Sequence, residues 1–418
     1  MMNKLSELTN AEYDRQRDSL NLIASENYPS PRVLELLGSV WMNKYAEGYP
    51  GKRYYAGNVH ADELEEFVQS KALEVFDPTG EYGANVQVLS GSPANAMVFL
   101  NVLEPGDTVL SLDLPSGGHL SHLHGTSSWL KFFAHETYGT VASDSGYEVD
   151  ISDYEAKLKS AQPKLTIIGF SAYPKRVDFE AMIKLAHEHG SLVLADIAHI
   201  NGLIAAGLHD SPFKPGELGA DFVSMTTHKT MRGPRGALLF AKQEYMDSLN
   251  KTVFPGTSGG PHLHQIAAVG QSLLEILGED VYPDGRAFRD YASDIIDNCR
   301  ALEDGMTQHG LEVVSPTQTH LSLVRLPASV DSLELQQKLE QIGIVTNRNS
   351  VPNDPKTPWR PSGLRLGTAA LTSRGLSTHH ASQLGALIAG VAIGKQNEAE
   401  AANQTQQILA DIDWFYTK

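Results

Sequence analysis

Lys229 stands in FVSMTTHKTMRGPRG (222–236), just beyond an apolar run that ends at Thr226, with Arg232 and Arg235 shortly after it. A strand-end lysine close to other cations holds its proton less tightly, as an amine nucleophile requires. Asp196 closes another apolar run in SLVLADIAHINGLIAAG (191–207), and His199 follows three residues later. Carboxylates at the carboxyl ends of strands in open α/β sheets face the ligand crevice. A third segment, SGSPANAMVFLNVL (90–103), offers the hydroxyls of Ser90 and Ser92, a close backbone approach at Gly91, and Pro93 suited to a first helical position. A helix N-terminus of this kind seats an anion.

Taken singly, these features also read as an N-cap serine, a capping aspartate and a surface lysine. Together they place an anion seat, a carboxylate and an amine at three strand ends. Pyridoxal 5′-phosphate needs that set: a lysine for its aldehyde, an acid for its ring nitrogen and a helix N-terminus for its phosphate.

The elements that must position these groups are legible in the hydropathy pattern. Ala61 to Phe76 carries Leu64, Phe67, Val68, Ala72, Val75 and Phe76 at helical spacing. Short β-rich runs follow at Asn85–Leu89, Thr108–Leu112, Leu165–Gly169, Leu192–Ala195, Phe222–Thr226 and Ala237–Ala241, with a helix pattern at Phe179–His189. Continuous apolar strands alternating with helices predict a mostly parallel sheet covered on both faces. After the turn-rich GEDVYPDG (278–285), strands are expected at Leu311–Val314 and His320–Leu326, and helices at Leu333–Gln341 and Leu384–Ile393. The pattern implies an α/β chain with an N-terminal arm (1–22), a large domain (23–280) and a smaller α+β domain (281–418).

Other chemistries find no support. No two glycines stand in a G-x-G arrangement, no Gly-Lys pair completes a phosphate-binding loop, and Gly169-Phe-Ser171-Ala-Tyr173 lacks the second glycine of a hydrolase elbow. His119, His122 and His124 have ligand-like spacing but no thiol or carboxylate beside them, and read as hydrogen-bonded loop residues, with no metal expected. The single cysteine, Cys299, excludes internal disulfides and Cys-based metal centres. With 33 basic and 50 acidic side chains among 418 residues, the net charge of −17 argues against a nucleic-acid partner. The N-terminus shows no apolar leader, and Leu384–Ile393 is too short to cross a bilayer, so a cytoplasmic location without membrane contact is expected.

Long motifs add a family resemblance. LIASENYPS (22–30), NKYAEGYPGKRYYAGN (43–58), NVQVLSGSPAN (85–95), DLPSGGHLSH (113–122), SAYPKRVDF (171–179), DIAHINGLIAAG (196–207), TTHKTMRGPRG (226–236), FPGTSGGPH (254–262), NRNSVPNDPK and SGLRLGTAALTSRG (about 347–375) run in the order of the serine hydroxymethyltransferase family. The chain resembles that family, which has the aspartate-aminotransferase fold type and moves the hydroxymethyl carbon of serine to tetrahydrofolate.

The resemblance implies a Schiff base of pyridoxal phosphate on Lys229, Asp196 at the ring nitrogen, His119 stacked on the ring, and Ser90, Gly91 and Ser92 around the phosphate. Ser171 and His199 would flank the phenolic oxygen. Arg365 would grip the amino acid's carboxylate, with Ser25 and Tyr55 nearby and Thr226 and His228 beside the lysine. Tyr45, Glu47, Tyr55, Gly259 and Gly260 would arrive from a neighbouring subunit of a homodimer, with dimer and tetramer both open. Leu114, Gly118, Leu120, Asn349, Thr357, Pro358 and Trp359 fall where the family binds folate. Two departures stand out: Ser258 replaces the usual glutamine in FPGTSGGPH, and LHGTSSWLKFF after GGHLSH is unusual, with His124 and Trp129. Glu47 either manages the proton on the hydroxymethyl oxygen or helps activate the folate-bound carbon. Glu47→Gln is expected to lower folate-dependent turnover roughly 10²–10⁴-fold, the usual worth of a positioned acid or base, measured by steady-state kinetics.

Overall fold

A computed structural model describes residues 3–124, 128–357 and 359–417. Seven strands form the central sheet: β1 (Tyr82–Asn85), β2 (Thr108–Leu112), β3 (Ala134–Tyr138), β4 (Leu165–Gly169), β5 (Leu192–Asp196), β6 (Phe222–Thr226) and β7 (Ala237–Lys242). Their spatial order is β1-β7-β6-β5-β4-β2-β3, and only β7 runs antiparallel to its neighbours. The mostly parallel sheet expected from the apolar runs is present. Its strands bury both faces because alternate residues feed two cores: Val193 and Ala195 of β5 join one cluster, and Leu194 joins the other.

The expected first strand is displaced. Pairing stops at Asn85, and Val86, Val88 and Leu89 are apolar without being paired in the sheet. Hydropathy responds to burial, and Val86 and Val88 are buried, so the run looks like a strand without being one. The helix Val59–Phe76 forms as expected, but its buried row is Ala61, Glu65, Val68, Ala72 and Phe76, and Phe67 faces outward. Glu65 tolerates full burial because Arg53 donates to it at 2.6 Å and Gln87 at 2.8 Å.

Beyond the helix Leu263–Leu277, the long helix Phe288–Gln308 leads to a four-stranded antiparallel sheet of Glu312–Val313, Leu321–Arg325, Gly363–Gly367 and Asn347–Asn349. Helices Ser332–Gln341, Thr378–Ala392 and Glu398–Ala410 complete this part. Leu20–Asn21 pairs in parallel with Ile344–Val345, and Leu20 and Leu22 enter the C-terminal core. The N-terminal segment therefore threads back onto the far end of the chain. A separate cluster around Leu203, Phe288, Tyr291 and Ile295 joins the two cores.

The long helix also carries a buried acid. Glu303 accepts from the Thr317 N–H at 2.8 Å through Oε2, while its Oε1 has no partner. Burial pushes its carboxyl up to about 7, outweighing the Thr317 hydrogen bond. A carboxyl with a raised folded-state value costs stability as pH rises from the usual carboxylate range to about 7, and the full cost persists above it. Glu303→Gln is therefore expected to stabilise the protein by about 1–3 kcal/mol above pH 7 and by little below pH 4.5. Denaturation midpoints of the two proteins at pH 8 and pH 4.5 measure this.

Candidate active site

The carboxyl ends of β4, β5 and β6 open onto a cavity of about 670 Å³. Asp196 is the last residue of β5, and its side chain is held from both sides. His122 donates from Nε2 to Oδ2 at 2.9 Å, Asn95 donates from Nδ2 to Oδ2 at 2.8 Å, and the Ala198 N–H donates to Oδ1 at 3.1 Å. Ser224, on neighbouring β6, donates to Asn95 Oδ1 at 2.6 Å and so fixes the amide orientation. Burial would raise the carboxyl's proton affinity, but the hydrogen bonds and charges around it win and hold it far below the usual carboxylate range. Asp196 is thus a permanent anion at a crevice floor.

Lys229 lies three residues beyond β6 and is buried. Its backbone carbonyl accepts from Asn27 Nδ2 at 2.6 Å, and Asn27 also donates to the Tyr291 hydroxyl at 2.7 Å. Burial lowers the amine's proton affinity. Asp196 opposes this and Arg365 and Arg235 reinforce it, so the value falls to about 8. Arg232 does not join this group, contrary to its reading as a cation near the lysine. It is fully buried between the rings of Tyr282 and Tyr291, 3.7 and 3.9 Å from their centroids, and sits 3.8 Å from Asp284. That stack pins the loop carrying Lys229.

The helix Gly91–Val102 points its N-terminus at the same cavity, and Ser90 is its cap residue, with no side-chain capping bond. Pro93 is the third helical residue, not the first, because Gly91 already begins the turn. A Cβ on Gly91 would lie 2.8 Å from Thr226 Cγ2, so only glycine lets the helix end approach β6. Leu114, Gly118, His119 and Leu120 come from the loop after β2, and Ser171 follows β4. A Cβ on Gly118 would meet the Leu112 carbonyl at 2.2 Å, which fixes glycine there. Ser171 donates to the Gly118 carbonyl at 2.8 Å. Burial pushes His119 down to about 4 and His228 to about 3, so both rings are neutral.

Arg365 projects from the C-terminal sheet into this cavity. It donates from Nε to Asn347 Oδ1 at 3.1 Å and from Nη1 to the Ser171 carbonyl at 2.7 Å, both neutral acceptors. Burial lowers its proton affinity to about 10, leaving a cation suited to an incoming carboxylate. Ser25, Thr226, His199 and Asn349 also line the cavity. Thr357 and the highly exposed Trp359 do not, and Pro358 lies outside the described residues.

The residues expected from a second subunit gather elsewhere. Tyr45 donates to Glu47 Oε1 at 3.3 Å, its ring meets Tyr55 at 5.2 Å, and Gly259 and Gly260 pack against Glu47 and Tyr45. None of the five lines the Lys229 cavity of the single chain. The three loop histidines diverge: His119 turns to Ser121, His122 to Asp196, and His124 to the Leu112 carbonyl. His122, Asn95, Ser224 and Asn347 escaped the sequence reading as site residues. Asn95 left one signal, a polar residue inside an apolar helix.

A buried anion, a lysine of lowered proton affinity, a helix N-terminus and an open arginine define an α/β enzyme built around an aldehyde cofactor and an amino-acid substrate. A family model described as serine hydroxymethyltransferase matches residues 2–388. Proteins named serine hydroxymethyltransferase are similar over nearly the whole chain. That of Acidothermus cellulolyticus is 41% identical over 98% of this chain and 93% of its own length, and that of Sorangium cellulosum 41% over 97% and 92%. That of Alkalilimnicola ehrlichii is 43% identical over 97% and 94%. The chain belongs to the serine hydroxymethyltransferase family, whose members use pyridoxal phosphate, with tetrahydrofolate as co-substrate. The donor set fits that cofactor: a fixed anion for a pyridinium nitrogen, a helix end for phosphate, and an amine for the aldehyde.

Because the Lys229 amine frees its electron pair near pH 8, the cofactor-free protein is expected to take up the aldehyde at a rate that rises with pH and levels off above about 8. Absorbance stopped-flow across pH 6–10 measures it. A midpoint near the ordinary lysine value would contradict the lowered affinity.

Proposed function

We propose that this chain performs the glycine hydroxymethyltransferase reaction at the Lys229 cavity, with serine, glycine and tetrahydrofolate as its partners. The observation that carries the assignment is the convergence of Lys229, Asp196 and Arg365 on one cavity. Pyridoxal phosphate, when bound, supplies an electron-withdrawing ring that takes the electron pair released when the Cα–Cβ bond of serine breaks.

The chain's own groups do the rest. Lys229 would hold the cofactor's aldehyde, its lowered proton affinity leaving the amine free to bond there. Asp196 would keep a proton on the ring nitrogen, and His122 and Asn95 keep Asp196 ionised. His119 would cover the ring face, Ser90, Gly91 and Ser92 would bind the phosphate, and Ser171 and His199 would hold the phenolic oxygen. Arg365 would take the substrate carboxylate through a two-pronged contact, with Ser25 beside it and Tyr55 reaching it from the neighbouring subunit. The overall reaction delivers the one-carbon unit of serine, at the formaldehyde level, to tetrahydrofolate and leaves glycine. Thr226 and His228 shape the pocket around Lys229. Leu114, Gly118, Leu120 and Asn349, all of which line the cavity, would form the folate side.

A homodimer supports this chemistry best. Tyr45, Glu47, Tyr55, Gly259 and Gly260 lie together outside the cavity, and Val40, Met42, Tyr45, Tyr54, Tyr55 and Val59 leave an exposed apolar surface around them. Pairing would cover that surface and deliver Glu47 to the neighbour's substrate. The three-part division at residues 22 and 280 belongs to the same reading, because Arg348 and Arg365 approach the cavity from the C-terminal part. Among the described residues no helix is long and apolar enough to cross a membrane, and the reading places the enzyme in the cytoplasm.

Complementation tests the shared site. Glu47→Gln and Lys229→Ala are each expected to be nearly inactive alone. An equal mixture, unfolded and refolded together, is expected to recover about a quarter of wild-type turnover, because half the dimers are hybrids and each carries one intact site. No recovery in a mixture shown to contain hybrids would overturn subunit sharing.

A further inference from the structure

Beyond the helix Glu398–Ala410, residues 413–416 belong to no helix or strand, yet Trp414, Phe415 and Tyr416 are half-buried. An irregular segment keeps one position only where specific contacts tie it down. Asp413 N–H donates to the Arg374 carbonyl at 2.7 Å, and Arg374 Nε donates back to the Asp413 carbonyl at 2.8 Å. The Trp414 ring meets Tyr13, Tyr28 and Tyr416 edge-on at 5.6, 5.4 and 5.0 Å, and the Arg374 guanidinium lies 5.0 Å from its centroid. Tyr13 Oη, on the helix Lys4–Arg17, donates to the Tyr416 carbonyl at 2.6 Å.

Two routes lead from this segment to Lys229. Tyr416 Oη donates to the Pro29 carbonyl at 2.6 Å. Two residues earlier, Asn27 Nδ2 donates to the Lys229 carbonyl at 2.6 Å, and Asn27 Oδ1 accepts from Ser373, the neighbour of Arg374, at 2.7 Å. Phe415 begins the second route. Its ring meets Tyr282 edge-on at 5.7 Å, Tyr282 Oη donates to the Tyr28 carbonyl at 2.9 Å, and the Tyr282 ring carries the Arg232 guanidinium. Asn27, Tyr28 and Pro29 are thus fixed in turn to the lysine loop, to Tyr282 and to the C-terminal segment. The loop itself is a tight turn: Arg232 N–H donates to the Lys229 carbonyl at 3.1 Å, and Gly233 N–H to the Thr227 carbonyl at 2.7 Å. Arg232 has a φ of 55°, a left-handed conformation that a long side chain holds only where its surroundings impose it.

We propose that residues 413–416 form a strap that positions the Lys229 loop, with Phe415 and Tyr416 as its positioning residues. Phe415 braces the ring stack that holds the left-handed turn at Arg232. Tyr416 anchors the segment whose Asn27 holds the lysine's backbone. Releasing either contact lets the turn relax, and Lys229 loses its fixed spacing from Ser25, which lines the cavity two residues before Asn27. The strap's bearing on the reaction rests on Lys229 as the cofactor's amine, proposed above. Its hold on the loop does not, so the two fail separately.

The test is hydrogen exchange of the cofactor-free, full-length protein, read by mass spectrometry. Phe415→Ala and Tyr416→Phe are each expected to speed exchange across residues 227–233 roughly three- to tenfold, the factor conferred by one aromatic contact or one neutral hydrogen bond. Strand β4 is expected to exchange as in the wild type, which separates a positioning role from general destabilisation. Phe415→Tyr, which keeps a ring against Tyr282, is expected to leave exchange at the wild-type level. In the loaded enzyme, Phe415→Ala is expected to release pyridoxal phosphate faster by a similar factor. Unchanged exchange at 227–233 in both folded variants would overturn the strap, and so would a rise shared equally by β4. Faster exchange with unchanged release would instead count against Lys229 as the group that retains the cofactor.

Discussion

The hydrogen bonds from His122 and Asn95 to Asp196 are the constraint on which the site depends. A carboxylate at the end of a buried strand would ordinarily take up a proton, because desolvation penalises its charge. Three donors reverse that outcome, and they come from three parts of the chain: the loop after β2, the helix Gly91–Val102 and the turn after β5. Ser224 on β6 extends the arrangement to a fourth. The anion exists only when the sheet order is correct, which couples the fold to the charge at the crevice floor.

The rest of the cavity has the opposite sign. Lys229, Arg235, Arg348 and Arg365 line it with Asp196 as the single carboxylate among the lining residues, in a chain whose net charge is −17. A cationic hollow in an acidic protein focuses anions where they are needed: phosphate, an amino-acid carboxylate and the acidic tail of a folate. Burial, reinforced by Arg365 and Arg235, lowers the proton affinity of Lys229, and burial, reinforced by Lys229 and Arg365, keeps His199 neutral. Arg232, only three residues from Lys229, serves differently. Its stack between Tyr282 and Tyr291 anchors the loop instead of adding charge to the pocket.

Local patterns were legible where burial and pairing coincide. Thr108–Leu112, Leu165–Gly169 and Phe222–Thr226 occur as strands with the expected bounds, since an apolar run in a parallel sheet is both buried and hydrogen-bonded. Asn85–Leu89 misled for the converse reason: Val86 and Val88 are buried without being paired in the sheet. Glu65 was invisible as a core residue because its partner Arg53 is twelve positions away, in the two-residue strand Lys52–Arg53. His122 resembled a loop histidine, and nothing near it in the chain points to an aspartate 74 residues on.

The residues alone determined the kind of chemistry: an amine, an acid and an anion seat at strand ends, and motifs long enough to identify the family. They did so because residue types and short spacings carry donor, acceptor and turn preferences locally. Tertiary structure decided which of those groups meet. It placed Arg365 beside a lysine 136 positions earlier in the chain, turned Arg232 away, and joined His199 to His320. Proton affinity follows from burial and from charges brought close by packing, and neither is set until the strands have found their neighbours.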